Sequence, residues 1–136
     1  MITHALRLTP GQDLKPELQR FTTAHSIRAG LILTAVGSLA EAHLRLADAA
    51  RGTRLRGTFE IVSLVGTLCL DGAHLHISLA DGNGDVTGGH LLEGCPIHTT
   101  AEIVIGEVEG VTFHRRLDGH TGYRELSIRS PLPPKG

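Results

Sequence analysis

The spacing of apolar positions predicts one main helix near the N-terminus. Four apolar residues recur at the interval of a single helical stripe: Leu14, Leu18, Phe21 and Ala24. This interval predicts a helix over about 13–25 with the stripe facing a core. Asp13 is placed to cap the helix, and Gly30 lies beyond its end.

The other patterned segments are typical of strands. Residues 3–8 form a short alternating segment, and residues 29–36 form a continuous apolar run, as expected for a strand covered on both faces. Residues 41–48 alternate strictly, and a basic loop is predicted over 49–56. Residues 57–70 form a long apolar stretch broken at Gly66, which predicts either two strands or one bent strand with a bulge.

Turn residues organise the second half of the chain. Asp71-Gly72 predicts a tight turn that joins 64–70 to 73–80 as a hairpin. Next come a Gly-rich loop over 81–89, in which a short strand starts at Val86, and two strands, 99–108 and 111–117.

Together the segments predict an α+β domain: one main helix and a central, mostly antiparallel sheet of about seven or eight strands. One helix leaves part of such a sheet uncovered, which favours a symmetric oligomer.

Length, composition and charge narrow the range of functions to consider. A chain of 136 residues is the size of one domain, here placed at 3–128, and the polar, Pro-rich segment 129–136 is typical of a disordered end. The formal net charge of −1 lacks the basic excess that non-specific nucleic-acid binding needs. The chain has no apolar run of membrane-spanning length, and its first residues lack the pattern of a signal peptide. We therefore expect a soluble cytoplasmic protein whose two cysteines are reduced.

The sharpest chemical signal is His74-Leu75-His76 in a predicted strand. Residues two apart on a strand point to the same face, about 6.5–7 Å apart, so both imidazoles can reach one metal ion. His90 supplies a third imidazole if it pairs opposite His76 in the next strand. A regular two-residue turn at Gly82-Asn83 would put His90 on the wrong face, whereas an odd-length loop or a bulge would restore it.

A solvated polar strand face is the alternative interpretation of this pattern. Three imidazoles would leave one position open for water, an anion or another ligand, as in open rather than structural zinc sites. Cys95 and His98 are candidates for an additional ligand, although a small buried cysteine explains the first equally well.

The remaining candidate residues carry less weight. The six other histidines are expected mostly on the surface, including His43, His25, His114 and His120. Three carboxylates are possible general bases beside a metal-bound water, but the sequence places none of them there: Glu60, Glu93 and Glu102.

The order of the segments resembles a known family. The chain contains, in sequence, HALRLTPGQDL, AGLILTAVGSLAEAHLRLAD, GTFEIVSLVGTL, GAHLHISLADGNGDVTGGHLLEGCPIHTTAEIVIGE and FHRRLDGHTGYREL. In this order and spacing they resemble the plants-and-prokaryotes-conserved (PPC) domain, over residues 3 to about 128. The resemblance implies an α+β fold and a homotrimer. The chain is similar to the stand-alone prokaryotic members, and the resemblance implies a zinc-like metal held at the positions of His74, His76 and His90.

In plants the resembling domain follows an AT-hook, a short Arg-Gly-Arg-Pro segment that reads the minor groove of DNA. No such segment occurs here, and the nearest basic run is Arg51 to Arg56. The family's Gly-Arg-Phe-Glu-Ile-Leu motif appears with Thr58 in place of arginine, so a partner contact through that charge is in doubt.

Three functions follow from these observations. We favour a metal-binding oligomer that takes a small-molecule or anionic ligand at His74, His76 and His90. The alternatives are a DNA-binding regulator and a metal-water-dependent enzyme. Six arginines would have to cluster on an oligomer surface for DNA contact: Arg45, Arg51, Arg54, Arg56, Arg115 and Arg116.

Overall fold

The computed structural model describes residues 1–131, which contain one helix and eight strands. In chain order the elements are β1 (Ile2–Leu8), α1 (Leu14–Ala24), β2 (Gly30–Arg45), β3 (Thr53–Cys69), β4 (Gly72–Ala80), β5 (Val86–Leu91), β6 (Ile97–Glu107), β7 (Thr112–Leu117) and β8 (Arg124–Arg129). The predicted α+β class and strand number are confirmed. Of the tail expected over 129–136, residues 132–136 lie outside the described residues.

The strands form a curled six-stranded sheet and a separate hairpin. The sheet order is β1-β6-β2-β3-β4-β5, and β7 pairs with β8 alone. Every strand pairing in residues 1–131 is antiparallel. The far edge strand β5 also pairs with the end of β2, at Leu44↔Leu91 and Arg45↔His90. This second pairing closes β2, β3, β4 and β5 into a ring.

Two long strands differ in extent from the segments predicted for them. The predicted strands 29–36 and 41–48 are parts of β2, which stays continuous through register shifts near Thr34 and Leu39. Within this strand, a side chain at Gly37 would collide with the backbone of Thr100. β3 is a single strand, one of the two alternatives expected, but its register shift lies between Ile61 and Ser63 rather than at the expected Gly66. It begins at Thr53, so the predicted basic loop over 49–56 was too long at its end.

The helix forms where predicted, but Asp13, the residue before it, does not cap it as expected. The Asp13 carboxylate makes no capping bond to the helix. Instead it accepts hydrogen bonds from the backbone N–H groups of Gly94 at 2.9 Å and Cys95 at 3.0 Å. Asp13 therefore fastens the start of α1 to the loop before β6.

One end of the predicted apolar stripe was also wrong. Leu14 and Leu18 are fully buried, but Ala24 is exposed and Thr22 is buried in its place. The Thr22 hydroxyl can be buried because it donates a hydrogen bond to the Leu18 carbonyl at 2.8 Å.

The core lies between α1 and the inner face of the curled sheet. Strand β4 contributes Leu75, Ile77 and Leu79, which are 0–2% exposed. Burying a side chain of this size stabilises the fold by about 1.5–3 kcal/mol. These three residues fix which face of β4 is inward, and therefore which face carries the alternate residues.

Candidate metal centre

Strand alternation places His74 and His76 on the outer face of β4, away from the core. Leu75 between them is fully buried, whereas both histidines are exposed. In the next strand, His90 is the register partner of His76. The predicted pairing is confirmed, and all three imidazoles lie on one face.

The loop between β4 and β5 explains this register. It occupies residues 81–85, an odd length, so the strands restart with Ala80 opposite Val86. The Asp81 carboxylate accepts hydrogen bonds from the backbone N–H groups of Asn83 at 2.9 Å and Asp85 at 3.0 Å. These Asx contacts stabilise the loop conformation that keeps His90 on the outer face.

The three imidazoles converge closely. One potential ligand nitrogen from each of His74, His76 and His90 lies within 4.8 Å of the others, and in the described part of the chain this is the only such group of three or more His, Cys, Asp or Glu residues. The Nε2 atoms of His74 and His76 are 3.2 Å apart. Tetrahedral zinc with bonds of about 2.0–2.1 Å holds its ligand atoms roughly 3.3 Å apart. The separation of this pair therefore suits two ligands of one zinc ion.

The surroundings keep two of these imidazoles neutral. Burial, followed by the positive charges of Lys15 and Arg45 and the other imidazoles, lowers the pKa of His90 to about 4. Burial, His76 and Arg115 lower the pKa of His74, partly offset by Glu125. A neutral imidazole keeps a lone pair for a metal ion, so His74 and His90 are ready to coordinate at neutral pH.

One ring nitrogen of His90 has no hydrogen-bond partner in the described residues. This atom, Nδ1, is buried. Buried polar atoms in proteins are normally paired, so an unpaired ring nitrogen beside two other imidazoles fits a metal centre.

The two additional ligands considered from sequence do not join the group. His98 is exposed on β6 and lines a different cavity, with Ser38 and Glu60. Cys95 is fully buried, and burial raises the pKa of its thiol to about 11. Its Sγ atom instead accepts a hydrogen bond from the backbone N–H of His43 at 3.2 Å.

Other histidines that were expected on the surface have structural contacts. Nδ1 of His43 lies 2.7 Å from the Glu93 carbonyl oxygen. The His25 ring stacks on Phe21 with centroids 3.9 Å apart. Nδ1 of His114 lies 3.2 Å from an oxygen of Asp71, so this residue is not simply solvated.

A cavity of about 420 Å³ borders the histidine group, and the start of β8 forms part of its wall. His74 and His90 line it together with Arg45, Arg115, Arg124 and Glu125. None of the three possible general bases, Glu60, Glu93 and Glu102, lines this cavity. Glu125 was missed because β8 was not located from its short pattern. Two arginines considered for DNA contact, Arg45 and Arg115, face this cavity.

Comparison with known proteins identifies the family. Residues 1–109 match the sequence profile of the Plants and Prokaryotes Conserved (PCC) domain. The chain belongs to this family. The predicted resemblance is therefore confirmed.

Two curated relatives are much longer than the segment that matches this chain. The chain is 51% identical over 125 residues to the bifunctional protein GlmU of Synechococcus sp. strain JA-3-3Ab, covering 92% of this chain and 20% of that protein. It is 26% identical over 112 residues to AT-hook motif nuclear-localized protein 8 of Arabidopsis thaliana, covering 76% of this chain and 29% of that protein. The chain thus spans about a fifth of the length of the GlmU proteins it matches.

Two solved structures share the fold over nearly the whole chain. A hypothetical protein from Salmonella enterica superposes with a TM-score of 0.92 at 44% identity, covering 96% of this chain and 95% of that one. A metal-containing protein from Archaeoglobus fulgidus superposes with a TM-score of 0.81 at 27% identity, covering 93% and 94%.

In residues 1–131, no helix has the length and hydrophobicity that crossing a bilayer requires.

Proposed function

We propose that this PCC-domain protein is a metal-binding module in which His74, His76 and His90 hold zinc or a similar divalent metal. The observation that carries the proposal is the convergence of three imidazole nitrogens within 4.8 Å on the outer face of β4 and β5. The unpaired Nδ1 of His90 supports it independently. The description of the Archaeoglobus relative as metal-containing agrees with it.

The donor set suits zinc and similar transition metals rather than calcium or magnesium. Imidazole suits zinc, copper, iron and nickel, whereas calcium and magnesium prefer oxygen ligands. Three protein ligands are the number found in zinc sites that keep a position for water or a ligand. Bound there, the metal would supply a Lewis acid beside the cavity that His74 and His90 line.

A homotrimer, which the family resemblance implies, is part of the same proposal. Six apolar side chains of the six-stranded sheet are 45–60% exposed: Ile2, Leu33, Val36, Val62, Val65 and Val86. Val65 is the register partner of His76, so a subunit covering it would lie beside the metal centre. Burial of apolar surface of this kind is what a symmetric interface supplies.

Light scattering tests the assembly directly. The wild-type protein is expected to have the mass of three chains, and Val62→Glu is expected to dissociate it because an unpaired carboxylate at an interface is costly. A monomeric wild-type protein would contradict the trimer without touching the metal assignment.

Elemental analysis tests the metal site. Protein purified without a polyhistidine tag is expected to contain about one zinc per chain, and His76→Ala is expected to lower this content at least roughly tenfold. His98→Ala is the matched control, because His98 is also an exposed strand histidine but lies outside the group. Equal metal content in the two variants would contradict the proposed site.

A further inference from the structure

We propose that the cavity beside the histidine group binds a small organic molecule through an oxyanion, either a carboxylate or a phosphate group. We call it the arginine cavity and define it by His74, His90, Arg45, Arg115, Arg124 and Glu125. The inference rests on the proposed metal site, because His74 and His90 belong to both.

The size and position of the arginine cavity suit a metabolite. Its volume of about 420 Å³ lies within the usual range of small-molecule sites, roughly 300–1,000 Å³. A ligand there would contact the side of the histidine group that faces the cavity. An oxyanion is the natural ligand in this position, since its oxygen can occupy an open metal position while arginines bind the rest of the group.

Arg115 lines the arginine cavity and has an unpaired hydrogen-bond donor. Its Nη2 donates a hydrogen bond to Thr67 Oγ1 at 2.5 Å, which orients the guanidinium. Its Nε is buried and has no partner within residues 1–131. An unpaired buried donor on a charged group is costly, so the Arg115 guanidinium has hydrogen-bonding capacity that the described residues leave unused.

Arg45 is also held in place without an acidic partner in the described chain. Its guanidinium carbon lies 5.9 Å from the centroid of the Tyr123 ring, a cation–π contact that leaves the N–H donors available. Arginine presents these donors as a planar fork that matches carboxylate and phosphate oxygens.

The acidic residues of the cavity do not fully cancel these charges, because three arginines, with Arg124 as the third, line it against two carboxylates. Asp71 also lines it, but the Asp71 carboxylate already accepts a hydrogen bond from the backbone N–H of Arg115 and lies 3.2 Å from the His114 ring. Glu125 and the amide of Gln19 add hydrogen-bond acceptors to the wall. Acceptors suit the hydroxyl groups of an organic ligand, whereas inorganic phosphate would not need them.

Calorimetric titration of zinc-loaded protein tests the inference. Malate and glycerol 1-phosphate probe the two oxyanions, glycerol is the neutral control, and inorganic phosphate tests whether an organic body matters. We expect malate or glycerol 1-phosphate to bind more tightly than inorganic phosphate, and glycerol not to bind. Whichever of the two binds more tightly identifies the oxyanion.

Variants then test the arginines. Arg45→Gln and Arg115→Gln are each expected to weaken binding at least tenfold, while Arg51→Gln, an exposed arginine outside the arginine cavity, leaves it unchanged. Two separate substitutions keep the test valid if the loss of the Arg115–Thr67 contact perturbs folding. Equal affinity of Arg45→Gln and wild type would overturn the inference, as would inorganic phosphate binding most tightly.

Zinc content measured on the same samples separates the two proposals. Protein that holds zinc but binds neither organic anion overturns this inference and leaves the metal site intact. Protein without zinc contradicts the proposed function. In that case, malate binding to the zinc-free wild type that Arg45→Gln abolishes would still support the arginine cavity.

Discussion

The two faces of strand β4 differ in what they contribute to this protein. The inner face carries Leu75, Ile77 and Leu79, which are almost completely buried, while the outer face carries the exposed His74 and His76. A one-residue slip of register would exchange the two faces. The burial that stabilises the fold therefore also fixes the position of the imidazoles, and stability and metal binding can be altered separately by substituting neighbouring residues.

The largest expected effect is on the inner face. Leu75→Ala should lower the free energy of unfolding by about 2–5 kcal/mol, because it removes a fully buried side chain and leaves a cavity. Urea denaturation of the zinc-free protein measures this change. A loss below about 1 kcal/mol would mean that the inner face is less tightly packed than the structure shows.

Zinc should stabilise the protein through the outer face. A free concentration of one hundred times the dissociation constant adds about 2.7 kcal/mol, since the metal binds the folded chain. We expect a chelator to remove this gain and His76→Ala to abolish it. Thermal unfolding with and without zinc is the measurement, and an equal gain in His76→Ala would refute the assignment.

A substitution at Gly66 tests how closely β3 must approach β4. Its φ is +144°, and a side chain there would collide with the carbonyl oxygen of His74. Gly66→Ala should therefore cost more than about 1 kcal/mol even without zinc. Gly82→Ala is the control, because a Cβ atom at Gly82 meets nothing within 4 Å. Equal denaturation midpoints of the two variants would contradict this account.

The smallest expected effect on stability comes from removing an imidazole on the outer face of β4. His74→Ala should change the stability of the zinc-free protein by less than about 0.5 kcal/mol, because the side chain is exposed. The same substitution should weaken zinc binding strongly. A large loss of stability without zinc would show that His74 has a structural role.

Local patterns predicted the parts of the fold that depend on neighbouring residues. The alternation of β4 and the Asp71-Gly72 turn sufficed to place His74 and His76 on one face. The odd-length loop that brings His90 to the same face was one of two alternatives, because the length of a Gly-rich loop has no periodic signal.

Contacts between distant residues were not predictable in this way. The Arg115–Thr67 hydrogen bond joins residues 48 positions apart, and it helps to place β7 beside the histidine face. No short pattern marks such a contact, so Arg115 was considered only for DNA binding and Glu125 was not considered at all. Both belong to the arginine cavity, which exists only after β7 and β8 have packed against the sheet.

X-ray absorption spectroscopy of the zinc-loaded protein tests the central claim most directly. We expect about three imidazole nitrogens at roughly 2.0–2.1 Å from the zinc ion, one further light atom, and no sulfur. His76→Ala should bind far less zinc, and the zinc that remains should show fewer imidazoles, whereas His98→Ala should keep the wild-type spectrum. A sulfur ligand at about 2.3 Å, or an unchanged spectrum in His76→Ala, would contradict a metal centre on the outer face of β4.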